Sequence, residues 1–235
     1  WDGPVPATLV GIFAIDSEHF FATSDAYFKG PTKFTPSLSR VKLTCQLVPT
    51  SIADHAVMHE DSVNCLEEVG TLIDLAPTMK GRPITGAYNT LNNSLKVGHQ
   101  LFEPLERDPH TGAVIPDPPR PAGEEDFTIE GYPVQSKAAR EELKALASTH
   151  RLVPLPAYGI DGHLINPHMY RESLVGALVE ARFVLRENYI EKKNVFSADL
   201  VALNVIAPPP TSTNPLKRKR IPTVFDDCPA KRAAR

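Results

Sequence analysis

Residues 41–48, VKLTCQLV, are the part of the sequence that decides the fold class. Apolar side chains at positions 41, 43, 45 and 47 alternate with polar side chains at positions 42, 44 and 46. A period of two is typical of a strand with one buried face and one face in water, and such strands are common in antiparallel sheets. The stretch therefore predicts an antiparallel sheet with its apolar positions in the core.

The residues around this strand predict a β-rich first half with one helix. Upstream, two apolar runs cover residues 9–15 and 20–27, and turn residues interrupt the second run at positions 23–25. Downstream, apolar spacing predicts a helix over residues 62–69. Two further extended segments flank Asn92-Asn93, and asparagine tolerates the left-handed conformation that a two-residue hairpin turn requires.

The second half mixes helices and strands. Residues 136–149 predict an amphipathic helix capped by Ser136, and residues 166–174 predict a short helix that opens with Asn and Pro. Strands are predicted over residues 177–186 and 195–206, joined by a polar turn over residues 187–194. In the first of these strands Phe183 is expected to face inward and Arg182 outward, and the last strand is expected to be central in its sheet. The predicted fold class is α+β, with antiparallel β-sheets and a few covering helices.

Proline marks the expected boundaries between segments. Six of the 23 prolines fall in residues 103–126, which predict a long loop or linker because proline fixes φ and removes a backbone donor. The division is then a β-rich half over residues 1–102, an α+β half over residues 127–206 and a basic tail over residues 207–235. The two halves form either one composite domain or two units. The chain begins at Trp1 with no methionine and no signal-peptide pattern, so it is expected to be a fragment or a processed product.

Charge is segregated between the body and the tail. Residues 207–235 carry seven basic and two acidic side chains, a net charge of +5, whereas residues 1–206 carry 18 basic and 26 acidic side chains, a net charge of −8. Such segregation indicates a tail with a partner of its own. It also disfavours the body as a general nucleic-acid binder, because such surfaces neutralise phosphates with Lys and Arg, although a local basic patch stays compatible with it.

The tail predicts nuclear import through an import receptor. Two basic clusters lie in a Pro, Ser and Thr-rich segment with no packing pattern, which is expected to be disordered. Their arrangement is typical of a bipartite import signal. The residues of this signal are Lys217, Arg218, Lys219, Arg220, Lys231 and Arg232. A tail that binds nucleic acid nonspecifically, or a charge run that is merely solvated, is the alternative.

Aromatic and basic residues concentrate near the start of the chain. Single-strand-binding barrels stack bases on aromatic side chains and bind the backbone with cations, and this combination predicts a nucleic-acid surface. Its candidate residues are Phe20, Phe21, Phe28, Lys29, Lys33 and Arg40. The competing interpretation places these phenylalanines in the core, where most aromatic side chains of globular proteins lie.

Catalytic signals are weak. His55 and His59 are four residues apart and would share one face of a helix, as two metal ligands must, but no third ligand follows at short range and the H-E-x-x-H order is absent. The cysteines Cys45, Cys65 and Cys228 are too far apart in the sequence for a zinc motif and fit a reducing compartment. No cofactor is indicated, and no apolar run reaches the ~20 residues that cross a bilayer.

These patterns lead to a ranked set of functions. The first is a non-enzymatic nuclear protein that acts through protein contacts, with association to DNA or chromatin as a further role. The first alternative is a single-stranded nucleic-acid-binding protein that uses an aromatic sheet face. The second alternative is a metal-dependent hydrolase at His55 and His59. The sequence specifies neither the protein partner nor the oligomeric state, and no stretch resembles a characterised family.

Overall fold

The computed structural model describes residues 6–76, 83–115 and 125–210. The strands in these ranges are β1 (Leu9–Phe20), β2 (Lys42–Val48), β3 (Ile84–Gly86), β4 (Tyr88–Asn89), β5 (Ser94–Gln100), β6 (Phe102–Pro104), β7 (His150–Leu152), β8 (Ala157–Tyr158), β9 (Leu178–Ile190) and β10 (Lys193–Ala207). The α-helices are α1 (Ile52–Leu75), α2 (Lys137–Leu146) and α3 (Tyr170–Leu174), and short 3-10 helices cover Leu38–Arg40, Glu125–Phe127 and Pro167–Met169. None of the described helices is both long and apolar enough to cross a membrane.

Five strands close into a barrel. They pair in the order β10, β9, β1, β2 and β5, and β5 then pairs with β10. The pairing of β5 with β10 is parallel, and the other four pairings in the ring are antiparallel. The apolar faces of these strands fill the interior, because alternate side chains point to opposite faces of a sheet. Strands from both halves of the sequence therefore share one sheet.

The predicted fold class and strand faces are confirmed. The structure is mixed α+β and mostly antiparallel, and Leu43, Cys45 and Leu47 are buried while Lys42 is exposed. On β9, Phe183 is buried and Arg182 is exposed. The last strand is central as predicted, because β10 pairs with β9 on one edge and with β3, β5 and β8 on the other.

The helix caps follow the predicted chemistry. The Ser136 hydroxyl accepts a hydrogen bond from the Ala139 backbone N–H at 2.9 Å, and α2 begins at Lys137, directly after Ser136. The Asn166 side chain accepts from the His168 N–H at 2.9 Å, and a 3-10 turn and then α3 follow. Each side chain satisfies a backbone donor that has no partner within the helix.

Two predicted connections are wrong. The apolar run over residues 20–27 is not a second strand, because Phe20 ends β1 and residues 24–27 form a turn. The polar turn over residues 187–194 is much shorter than predicted, because β9 continues to Ile190 and β10 begins at Lys193. Only two residues form that turn, with φ values of 49° and 64°. Neither is the glycine or asparagine that would reveal a two-residue hairpin.

The structure also corrects the predicted lengths of the first helix and of the turn at Asn92-Asn93. The helix predicted over residues 62–69 extends over 24 residues as α1. Among the side chains described in this helix (residues 56–75), the buried ones are Ser62, Leu66, Val69 and Ile73, which form a narrow line, so the apolar pattern over residues 56–75 is too weak to reveal the full length. The hairpin at Asn92-Asn93 is present between β4 and β5, but Asn89 pairs with Ser94, which leaves a four-residue turn. In the Pro-rich stretch, β6 pairs with β7, and residues 116–124 lie outside the described residues.

Candidate functional site

A groove of about 850 Å³ lies on the outer face of the barrel. Its floor is the part of β2, β5 and β10 whose side chains point away from the core. One wall comes from the loop that joins β1 to β2, and the other from the segment around Gly86. The groove is therefore built on three neighbouring strands, and residues from both halves of the sequence line it.

The middle of the floor is flat. Thr44 lies opposite Gly98 in the β2–β5 ladder, and Gly98 lies opposite Asp199 in the β5–β10 ladder. This row of neighbouring residues continues to Phe21 in the β1–β2 loop, because the Phe21 N–H donates to the Thr44 carbonyl at 2.7 Å. Neighbouring strands are ~4.8 Å apart, so this row spans about 14 Å. Gly98 itself contributes no side chain to the centre of the row, so only neighbouring side chains cover it.

Two exposed aromatic rings form the wall beside this floor. Phe21 is 48% exposed and Tyr27 is 41% exposed. Their ring centroids are 6.4 Å apart and their planes meet at 88°, an edge-to-face arrangement. The Tyr27 hydroxyl accepts a hydrogen bond from Arg171 at 2.9 Å. Both rings line the groove and present apolar surface to it.

A buried carboxylate holds the aromatic loop in place. Asp25 is 1% exposed, and one of its oxygens accepts from the Tyr27 N–H at 3.2 Å. Its other oxygen accepts from the backbone N–H groups of Gln135 and Ser136, at 2.9 and 3.2 Å, at the start of α2. The turn gives Ala26 and Tyr27 positive φ values of 46° and 58°, which side-chain-bearing residues seldom adopt without such support. The position of Tyr27 is therefore fixed by the fold.

Two further hydrogen bonds connect the same loop to α2 and to the segment that precedes α2. The Leu38 N–H donates to the Glu142 carboxylate at 2.6 Å, and the Ser24 hydroxyl donates to the Pro133 carbonyl at 2.7 Å. These contacts join parts of the chain that are more than a hundred residues apart. These hydrogen bonds hold the loop at both ends in the free protein. A ligand that bound there would therefore cause a smaller loss of conformational entropy.

The charge of the groove is opposite to that of the body. Among its lining residues Lys29, Arg40, Lys42 and Lys96 are basic, and Asp199 is acidic. All four basic side chains belong to exposed residues. A body with a net charge of −8 therefore carries a local cationic surface beside two aromatic rings.

The structure separates the aromatic residues that the sequence grouped together. Phe21, Lys29 and Arg40 line the groove, and their contact with nucleic acid stays a prediction. Phe20 and Phe28 are only 2% and 5% exposed, so their rings belong to the core and are not accessible for stacking. Consecutive residues of an extended segment point to opposite sides, which explains why Phe20 is buried and Phe21 is not.

Sequence reasoning missed other lining residues. Lys33 is exposed but does not line the groove, whereas Tyr27, Lys42 and Lys96 do. The signal for Lys42 was present, because it occupies a polar position of the alternating strand that was assigned to the solvent-exposed face. The alternation predicts only that this face contacts solvent, and it does not indicate a binding surface. The position of Tyr27 had no sequence signal, since it depends on the contacts of Asp25 with the start of α2.

The histidine pair shows no metal geometry in the described part of the chain. His59 Nδ1 donates to the Thr50 carbonyl at 2.5 Å, a contact that joins α1 to the segment before it. The side chain of His55 lies outside the described residues, as do the basic clusters of the import signal. Among the described residues no three His, Cys, Asp or Glu side chains come together as metal ligands would. Burial raises the pKa of the Cys45 thiol to about 12, so this thiol is protonated at neutral pH.

Comparison with known proteins gives distant structural likeness only. No protein family matches the chain, and neither does any curated protein. The single-stranded DNA-binding protein gp2.5 of bacteriophage T7 is similar at a TM-score of 0.41 and 11% identity, over 88% of this chain and 95% of that one. The single-stranded DNA-binding protein of bacteriophage Enc34, in complex with ssDNA, is similar at a TM-score of 0.38 and 10% identity, over 89% and 98% of the two chains. At these values the likeness assigns neither family nor function.

Proposed function

We propose that this protein binds single-stranded nucleic acid in the groove across β2, β5 and β10. Bases stack on Phe21 and Tyr27, and the sugar–phosphate backbone follows the cations Lys29, Lys42 and Lys96. The observation that carries the proposal is the pair of exposed aromatic rings fixed beside a flat, cationic floor. Stacking platforms within a positively charged groove are the combination that binds single strands without strong sequence preference.

The same chemistry favours single strands over duplexes. Stacking on a protein ring requires a base face that is free, and in a duplex both faces of each internal base are covered by neighbouring bases. A duplex could reach only the cations of the groove. Its binding would then rest on phosphate neutralisation alone, which the net charge of −8 on the body opposes beyond the groove.

The order of the strands adds an analogy. In OB-folds, which are five-stranded barrels, the face of the second and third strands and the loop between the first and second bind oligonucleotides. In this barrel β2 and β5 are the second and third strands along the chain, and the loop from β1 to β2 carries Phe21 and Tyr27. An analogy of fold is secondary to the site itself. The site favours nucleic acid over the protein-contact role that the total charge suggested.

Binding measurements on the full chain and on a chain without residues 211–235 test this proposal. Fluorescence anisotropy with labelled oligo-dT and with a duplex of equal length, at low and physiological salt, gives the four affinities needed for each protein. We expect both proteins to prefer the single strand, because the groove lies entirely within the described body. Loss of all binding with the tail, or equal affinity for the duplex, would contradict the proposal.

We also propose that the tail directs the protein to the nucleus. The support is the sequence of two basic clusters, Lys217–Arg220 and Lys231-Arg232, in a segment rich in Pro, Ser and Thr. Residues 207–235 fused to a large inert cytosolic reporter are expected to move it into the nucleus. A matched fusion in which these six basic residues are changed to alanine should stay in the cytosol. A wild-type fusion that also stays in the cytosol would rule out the signal.

A further inference from the structure

An acidic side chain lies among the cations of the groove. Asp199 is on β10, and its two carboxylate oxygens contact two different cations. Oδ2 lies 2.7 Å from Arg186 Nε on the neighbouring strand β9, and Oδ1 lies 3.6 Å from Lys42 Nζ on β2. The Asp199 side chain is 33% exposed, and Asp199 and Lys42 both line the groove.

Lys42 crosses a whole strand to reach Asp199. It lies on β2 and Asp199 on β10, with β5 between them. The crossing point is Gly98, where an added Cβ would lie 3.9 Å from Lys42 Cδ. The aliphatic part of Lys42 therefore passes over Gly98, and its ammonium group lies 3.6 Å from Asp199 on β10 while the side chain stays 48% exposed.

We infer that Asp199 is an internal competitor for nucleic-acid phosphate, an inference that rests on the proposed function. A carboxylate and a phosphate are both anions that Arg and Lys bind through charge-assisted hydrogen bonds. In the free protein the carboxylate of Asp199 occupies Arg186 and Lys42. A strand that enters the groove must compete with Asp199 for Lys42, which lines the groove, and place its phosphates near an acidic group. Asp199 thereby sets a low affinity for any polyanion that does not also stack on the aromatic wall.

The substitution Asp199→Asn tests this role because it keeps the shape of the side chain and removes its charge. We expect the affinity for oligo-dT at low salt to rise by roughly three- to tenfold, with a salt dependence steeper by about one counterion. Asp161→Asn makes the same change of net charge on an exposed loop outside the groove, and it should leave the affinity within about twofold of wild type. A purely structural ion pair would give unchanged or weaker binding in Asp199→Asn.

A double-mutant cycle with Lys42→Gln identifies the cation that is released. In the wild-type background Lys42 is engaged by Asp199, so Lys42→Gln should lower the affinity only slightly. In the Asp199→Asn background, Lys42→Gln should remove most of the affinity gained through Asp199→Asn. The effects of the two substitutions are then non-additive, as is expected for residues in contact. Denaturation midpoints confirm that each variant is folded, and Asp199→Ser replaces Asp199→Asn if that variant is not.

The outcomes separate this inference from the proposed function. If the wild type binds oligo-dT and Asp199→Asn binds no better, the competitor role is wrong and the groove remains the binding site. If Lys42→Gln has equal effects in both backgrounds, Lys42 is not the competed cation and the inference fails in the same way. If no variant binds single strands, both the inference and the proposed function are wrong.

Discussion

Replacing Phe21 and Tyr27 together by alanine is expected to weaken single-strand binding by roughly 100-fold or more. Each base stacked on an aromatic side chain contributes ~1–3 kcal/mol, and both rings line the same wall of the groove. The loss should persist at high salt, because stacking does not depend on released counterions. Duplex binding should change little, since a duplex cannot use these rings. Anisotropy titrations with both ligands at two salt concentrations measure the effect.

The two rings are suited to this test because they are already exposed. At 48% and 41% exposure, Phe21 and Tyr27 contribute less to the core than a buried aromatic residue does, so the variant should fold. Tyr189→Ala is the matched control, since Tyr189 is 52% exposed near the tip of the β9–β10 hairpin and does not line the groove. Tyr27→Phe keeps the ring and loses only the hydrogen bond from Arg171, so it should bind nearly as the wild type does. Wild-type affinity in the double-alanine variant would contradict the proposal that bases stack on Phe21 and Tyr27.

The strands and caps could be predicted because their signals are local. Alternation over residues 41–48 reports directly on which side chains face the core, and Ser136 caps α2 through a bond to a residue three positions away. The same locality explains the errors of length. The turn between β9 and β10 uses two residues at positive φ that carry no glycine or asparagine, so tertiary pairing rather than turn chemistry determines where the strands end.

The groove could not be predicted because it depends on contacts between distant residues. Asp25 accepts a hydrogen bond from Gln135, 110 positions away, and that bond helps to hold Tyr27 in the wall of the groove. Gly98 looks unremarkable in the sequence until β5 is seen between β2 and β10, where the missing side chain lets Lys42 pass. Local patterns identified Phe21 and the exposed strand face as separate features. Only the barrel brings them together.

Phe183→Ala is expected to lower the free energy of unfolding by roughly 3–5 kcal/mol, the usual cost of truncating a large aromatic residue in a core. Phe183 is 1% exposed on β9, directly opposite Leu9 of β1 and Leu200 of β10. The alanine variant would leave a cavity bordered by three strands of the barrel. Arg182→Ala is the matched control, because that side chain is 49% exposed and its contact with Glu180 is a surface ion pair worth about 0–1 kcal/mol.

The same variant also tests whether the two halves of the sequence unfold together. Phe183 belongs to the second half, yet β9 pairs with β1 of the first half over six residue pairs, from Leu9 with Phe183 to Ala14 with Leu178. A cavity at this seam should therefore lower the stability of both halves in one cooperative transition. Urea unfolding followed by far-UV circular dichroism and by tyrosine fluorescence should give coincident midpoints, shifted equally for Phe183→Ala. Equal midpoints for Phe183→Ala and Arg182→Ala would contradict the assignment of the faces of β9, and separate transitions for the two probes would contradict a single cooperative transition.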